Sequence, residues 1–298
     1  MDLLAELEDR IVCGDGAMGT LLLDRGVPVE HCLEELCVSE PDRIVAIHQE
    51  YVAAGARVIE TNTFGANSVR LSRFGLEDWV ADINKAAARL ARKAAREKGV
   101  CVAGSIGPLG ISSQEAEERG IDRNECFREQ VAALIEADVD VIFFETFQNF
   151  EEMEIALRAT PKSDCIIIAL FTCEPEARLR SGMPLIEALA RCRELGAKIV
   201  GANCLNDPRA MVQLFEKLPA GGDLLAAYPN AGYPCYTEGR DVYPSAPDYF
   251  AKAAREIAER GARLIGGCCG TTPAHVGAVS KVLVDLRPSC SKSACLVG

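Results

Sequence analysis

Two adjacent cysteines in a glycine frame, Gly266-Gly267-Cys268-Cys269-Gly270, are the residues whose type and spacing point most directly to chemistry. Neighbouring residues on a regular strand face opposite sides, so both sulfurs reach one centre only where the backbone turns. The flanking glycines supply that freedom. A third thiolate is available from Cys204, directly after the apolar run Lys198–Asn203. Three cysteine ligands with an open fourth position describe a catalytic zinc site, whereas a structural site closes with four. Two ordinary cysteines at a tight turn, or a vicinal disulfide, fit the same residues, since no C-x-x-C pair is present. Asp15 and Glu145 form a second constellation. Carboxylates in a mostly apolar cavity are costly unless paired, and a substrate ammonium would pair them. The amides of Gly16, Ala17, Met18 and Gly19, turning toward a helix, suit a matching carboxylate. Together they suggest an amino acid substrate. The alternative is a turn capped by Asp15 and a structural cation beside Glu145. Of the three histidines, His31 and His48 read as ordinary surface or helix residues, and His275 as a capping or supporting group.

Such groups need elements that bring them together. Eight short runs rich in Val, Ile, Leu and Phe read as strands: Arg10–Gly14, Arg57–Thr61, Val100–Gly104, Val139–Glu145, Cys165–Phe171, Lys198–Asn203, Leu224–Tyr228 and Arg263–Gly267. They lack strict polar alternation, which suits strands buried on both faces of a parallel sheet. Helical stretches lie between them: Pro41–Gly55, with Ser39 as its expected cap, Asp82–Gly99, Asn124–Ala137, Phe150–Ala159, Met183–Gly196, Asp207–Leu218, Ala246–Gly261 and Pro273–Leu286. Eight strand–helix units predict an α/β fold, a single (β/α)8 TIM barrel whose active site lies at the C-terminal ends of the strands. A doubly wound sheet fits less well, because GDGAMGT is not a G-x-G-x-x-G loop. Every strand except the fifth ends in unusual polar or small residues, where a barrel places its chemistry. The barrel is expected over residues 1–287, with a small, polar, flexible tail over 288–298 that carries Cys290 and Cys295.

Composition narrows the class further. The chain has 298 residues, 49% hydrophobic and 6% aromatic, enough for a sizeable core. Its 32 basic against 44 acidic residues give a net charge of −12, which argues against nucleic acid or an anionic membrane surface. No run of apolar residues is long enough to span a membrane. The start, MDLLAELEDR, lacks the apolar stretch of a signal peptide, so a cytoplasmic location is expected. In that reducing setting most of the 14 cysteines are expected to be buried, inert thiols.

The motifs GDGAMGTLL, ETNTFGAN, GSIGP, FFETF, GANC, PNAG-P and GGCCGTTPAHV occur in this order between Ile11 and Val276. In them the chain resembles the homocysteine S-methyltransferase family, and within it the homocysteine-binding domain of cobalamin-dependent methionine synthase. The resemblance implies a zinc-bearing barrel with Cys204, Cys268 and Cys269 as the Zn(2+) ligands, which act in catalysis through the metal. It implies that Asp15 and Glu145 hold the amino group of L-homocysteine. It implies further that the loop of Gly16, Ala17, Met18 and Gly19 takes the carboxylate and that Asn230 lies beside the open zinc position. Thr61, Asn62 and Ser105 fall on motif positions lining the site. In Phe171–Met183 the family pattern is met only in part.

The implied reaction is methyl transfer to the homocysteine thiolate to give L-methionine. A free aliphatic thiol is mostly protonated at neutral pH, and metal coordination removes that proton. The chain lacks a D-x-H-x-x-G cobalamin motif. The donor expected from the resemblance is methylcobalamin on a separate corrinoid protein. The alternatives are a stand-alone enzyme that uses S-methylmethionine, S-adenosylmethionine or betaine, a thiol-binding subunit active only with a partner, and a cysteine-rich redox protein.

Overall fold

The computed structural model describes residues 2–95, 99–219, 224–237 and 239–286. Ten strands occur among them: β1 (Val12–Cys13), β2 (Val58–Glu60), β3 (Cys101–Ile106), β4 (Val141–Phe147), β5 (Ile166–Phe171), β6 (Ile199–Asn203), β7 (Leu224–Tyr228), β8 (Cys235–Thr237), β9 (Arg240–Val242) and β10 (Ala262–Ile265). Eight of these form one parallel sheet in the order β1-β10-β7-β6-β5-β4-β3-β2. A parallel bridge between Gly14 and Val58 joins its two edges, so the sheet closes into the expected (β/α)8 barrel. The eight strands correspond to the eight apolar runs. Short β8 and β9 form a separate antiparallel hairpin between β7 and the next helix. The sequence reading missed it, because β8 is wholly exposed and carries no apolar face.

Side chains alternate between two cores, as strand geometry requires. Val141 and Phe143 of β4 point into the barrel with Val12, Val58, Ile168, Leu170, Ile199, Tyr228 and Leu264. Ile142 and Phe144 point outward and pack, with Ile59, Val102 and Val200, into the layer that also holds the helices. Leu3 and Leu7 of the helix Leu3–Asp9 join the inner cluster. The ring of Tyr228 stands edge-on to Phe143, 5.2 Å between centroids. It occupies space that two other strands leave open. A Cβ on Gly14 would lie 2.2 Å from its hydroxyl, and one on Gly266 would lie 2.2 Å from its ring. Between β6 and β7 the backbones approach so closely that a Cβ on Gly201 would meet the Ala226 carbonyl oxygen at 1.9 Å.

The principal helices fall where expected, with small shifts at their ends. They are Pro41–Ala54, Val80–Ala95, Arg123–Glu136, Phe150–Ala159, Leu185–Glu194, Pro208–Lys217, Pro247–Glu259 and Pro273–Leu283. Ser39 does not cap the first of these. It ends the short helix Leu36–Ser39, and its hydroxyl turns back to Glu35 at 2.8 Å. Glu40 takes the cap position with Pro41 at the first helical residue, where a missing N–H costs nothing. Residues 288–298, with Cys290 and Cys295, lie outside the described residues.

His48, read as an ordinary surface or helix residue, is fully buried in Pro41–Ala54, and among the described residues neither ring nitrogen has a hydrogen-bond partner. Burial lowers its pKa from 6.5 to about 4. The folded protein therefore binds this proton less readily than the unfolded chain. The resulting penalty is absent above pH 6.5 and grows as the pH falls toward 4. Replacing His48 with Leu should abolish a loss of about 3 kcal/mol between those limits. Urea titrations of both proteins at pH 7 and pH 4.5 measure the difference.

Candidate metal centre and substrate pocket

The three predicted ligand cysteines meet at the C-terminal mouth of the barrel. Cys204 directly follows β6 and adopts φ 57°, a left-handed conformation rare for a side chain other than glycine. Its amide donates to the Tyr228 carbonyl at 2.9 Å. Cys268 and Cys269 follow β10 after Gly266 and Gly267, where Cys268 N–H donates to Pro229 O and Ala231 N–H donates to Cys269 O, both at 2.8 Å. The Thr271 hydroxyl donates to the Cys268 carbonyl at 2.6 Å, and Gly270 N–H to the Thr20 hydroxyl at 2.9 Å. Two strand ends and the turn after β7 thus converge on three sulfurs.

The sulfurs lie within 4.8 Å of one another, with Cys204 Sγ 4.0 Å and Cys268 Sγ 3.9 Å from Cys269 Sγ. Four tetrahedral Zn–S bonds of about 2.3 Å set sulfurs about 3.8 Å apart. The two separations to Cys269 match that spacing, and the triad is compact enough to hold one thiophilic metal ion. Hydrogen bonds from Cys204 and Cys268 lower the pKa of Cys269 to about 3, and Tyr243 adds another. Cys268 is held well above the ordinary thiol range by its bonds to Cys204 and Cys269 and by burial. Asn230 reaches the same centre. Its side chain hydrogen-bonds Cys204, and its Oδ1 is buried with no partner. Asn62, by contrast, donates to the Leu33 carbonyl at 2.7 Å. The other nine described cysteines are free thiols away from the triad. Burial raises Cys13, Cys37 and Cys192 to about 12, which makes them poor nucleophiles.

Asp15 and Glu145 come together, with a third carboxylate, Glu60 at the end of β2, that interacts with both. Asp15 Oδ2 accepts from Glu60 N–H at 2.8 Å, while its Oδ1 is buried and unpartnered. Glu145 Oε1 accepts from the Ser105 hydroxyl at 2.6 Å, and its Oε2 from Asn203 Nδ2 at 3.1 Å. Glu60 also hydrogen-bonds Glu145. Burial raises the pKa of all three. Repulsion from Glu145 adds to the rise for Asp15 and Glu60.

The remaining predicted positions fall around this core. Thr61 is buried, and its hydroxyl joins that of Thr63 at 2.6 Å while accepting from Ser105 N–H at 3.1 Å. It therefore supports Ser105 from within the wall. In the Gly16–Gly19 loop the Ala17 amide already donates to the Thr271 hydroxyl at 3.0 Å, and the Tyr51 hydroxyl donates to the Ala17 carbonyl at 2.7 Å. Met18 begins the helix Gly19–Asp24 without a side-chain cap. His275 is the expected capping group. Its Nδ1 accepts from Thr272 N–H at 3.2 Å, and its Nε2 lies 2.8 Å from the Ser245 carbonyl.

Sequence reasoning assigned no role to Glu60, Asn203 or Tyr243. Glu60 and Asn203 stand at strand ends, which was the available signal. Tyr243 lies far along the chain, after the unforeseen hairpin, and carried none. It packs on the turn at Gly270, where a Cβ would lie 2.1 Å from its own Cβ.

The fold and this mouth define a class, a (β/α)8 barrel with three cysteines grouped closely enough to hold one metal ion beside a carboxylate cluster. The sequence profile described as "Homocysteine S-methyltransferase" matches residues 12–283. The methionine synthase of Mycobacterium tuberculosis is 32% identical over 96% of this chain and 26% of its own length. An S-methylmethionine–homocysteine S-methyltransferase of Pongo abelii is 29% identical over 96% of this chain and 82% of its own. The metallated form of the Escherichia coli homocysteine methyltransferase MmuM superposes with a TM-score of 0.72 and 28% identity, covering 91% of this chain and 96% of that one. The chain belongs to the homocysteine S-methyltransferase family. It spans about a quarter of the length of the methionine synthases it matches.

Asn203 tests how the pocket is held. It is fully buried, its Oδ1 accepts from Thr146 N–H at 2.8 Å, and its Nδ2 also reaches the Thr146 hydroxyl at 2.7 Å. Thr146 sits at φ 63°, so Asn203 holds a strained residue in place beside Glu145. Asn203→Ala should lower stability by about 2–4 kcal/mol, measured by urea unfolding at neutral pH.

Proposed function

We propose that the protein transfers a methyl group to the sulfur of L-homocysteine, giving L-methionine, with Zn(2+) held by Cys204, Cys268 and Cys269. The observation that carries this reading is the triad spaced for one thiophilic ion beside carboxylates that, among the described residues, form no ion pair with the protein. Bound there, zinc supplies a Lewis acid that keeps the substrate sulfur deprotonated at neutral pH.

The chain's own residues orient the substrate. Asp15 and Glu145 receive the ammonium, and Ser105 and Asn203 fix the Glu145 carboxylate through one donor on each oxygen. The turn Gly16-Ala17-Met18-Gly19 receives the carboxylate. Since Thr271 already engages the Ala17 amide, the turn itself is braced against the loop that follows β10. Asn230, with its buried free Oδ1, stands where the substrate sulfur approaches the triad. Catalysis on this account is mainly positioning of a reactive thiolate against the donor.

The preferred donor is methylcobalamin carried by a separate corrinoid protein, supported by the likeness to methionine synthases over nearly the whole of this chain. A second reading takes S-methylmethionine, favoured by the likeness to the Pongo abelii enzyme over most of that protein's length. Purified protein given homocysteine with each donor in turn, and assayed for methionine, separates the two. Cys268→Ser should retain much less than one equivalent of metal. Its activity should fall by more than the roughly 10–100-fold typical of losing an outer-sphere partner. Full zinc content with full activity in that variant would overturn the metal assignment.

A further inference from the structure

Three carboxyl groups meet where only two have an assigned task. They come from the ends of three strands, with Asp15 after β1, Glu60 closing β2 and Glu145 in β4. No basic side chain among the described residues pairs with any of them. The other titratable groups acting with Glu60 are the hydroxyls of Tyr51 and Tyr228, both held above the ordinary phenol range chiefly by burial, and therefore neutral. The Tyr228 hydroxyl is itself buried without a partner. Three negative charges in so small a space, with no positive one, are not sustainable, and at least one proton must stay.

The hydrogen bonds say where it stays. Both oxygens of Glu145 accept, one from Ser105 and one from Asn203, so Glu145 is built as a carboxylate. Asp15 accepts from the Glu60 backbone and carries a free buried oxygen, again the pattern of a carboxylate waiting for a donor. Among the described residues no donor of that kind reaches the Glu60 side chain, and its contact is with Glu145. Two carboxyl groups hydrogen-bond only when one carries a proton.

We propose that Glu60 is a third member of the ammonium site, holding a proton in the free protein and releasing it to solvent when the substrate ammonium arrives. This rests on the reading of Asp15 and Glu145 as the ammonium site and adds a role for a residue outside it. The balance is simple. The Glu60 O–H bond breaks, its proton passes to water or buffer, and the carboxylate left behind faces the incoming ammonium. Empty, the pocket is stabilised by an internal proton. Occupied, the substrate's own charge takes that place. The exchange favours ligands that bring a cation, and it makes binding proton-linked independently of the thiol. Because the free-state proton is held more tightly than the bound-state one, affinity for the amino acid rises with pH between the two pKa values and levels off above them.

Isothermal titration calorimetry of the zinc-loaded protein near pH 7, in buffers of different ionisation enthalpy, counts the released protons. L-methionine carries the ammonium without a thiol, and 4-mercaptobutyrate carries the thiol without an ammonium. Wild type should release about one more proton than Glu60→Gln on binding homocysteine or methionine, and the same number on binding mercaptobutyrate. The Gln amide keeps a donor toward Glu145, and zinc content and thermal melting establish that the variant is folded. Log KM for homocysteine should fall about one unit more steeply per pH unit in wild type than in the variant. Equal proton counts in the two proteins would overturn the proposal. If the variant does not fold, methionine binding to wild type alone decides, since release of no proton there overturns it. Wild type that holds zinc but binds neither amino acid refutes the ammonium site itself.

Discussion

The mouth of this barrel gathers three thiols and three carboxyl groups and supplies no basic side chain among the described residues to balance them. Buried acids without cations either keep their protons or wait for positive charge from elsewhere. Both outcomes occur here. Cys268 is pushed well above the ordinary thiol range, while hydrogen bonds from its two neighbours pull Cys269 below it. Glu145 keeps two donors, and Asp15 keeps a buried oxygen with none. The remaining features follow from that imbalance. On the proposed function a metal ion would answer the sulfurs and an ammonium the carboxylates. A ligand offering thiol and ammonium on one short chain would satisfy both halves together.

Such an arrangement destabilises the empty pocket, and the surrounding structure holds it open. Asn203 clamps left-handed Thr146 and Glu145 in one side-chain network. Cys204 is itself left-handed, tied through its amide to the end of β7. Thr271 braces the Cys268 turn and the Ala17 amide with one hydroxyl. Beneath them the Tyr228 ring fills the barrel where Gly14 and Gly266 leave room, so the β1 and β10 ends approach across it. Side-chain preorganisation of this kind lets charge wait in a fixed geometry instead of relaxing around the ligand.

Tyr243 reaches the same centre by another route. The chain leaves the barrel after β7, forms the β8–β9 hairpin and returns so that this hydroxyl donates to Cys269. Ala231 and Ser245 close the neck of the excursion with a backbone hydrogen bond of 2.9 Å. His275 fastens it again at the Ser245 carbonyl. The metal triad is therefore supported from outside the barrel as well as from the strand ends.

Most of the frame was legible in the amino-acid order. Eight apolar runs of strand length, each followed by a helical stretch, determine a parallel barrel because both faces of every strand must be buried. The strand-end rule then marks Asp15, Glu145, Cys204, Cys268 and Cys269, since the reactive rim of a barrel lies just past each apolar run. Tertiary structure alone decided the distance between sulfurs whose sequence positions differ by 65 residues, and the meeting of Glu60 with two other acids. It also decided that Thr61 is internal bracing and that His48 is sealed without partners. These depend on which side chains face one another across a closed sheet. Local patterning carries the period of a strand, but not the register and curvature that bring distant strand ends to one point.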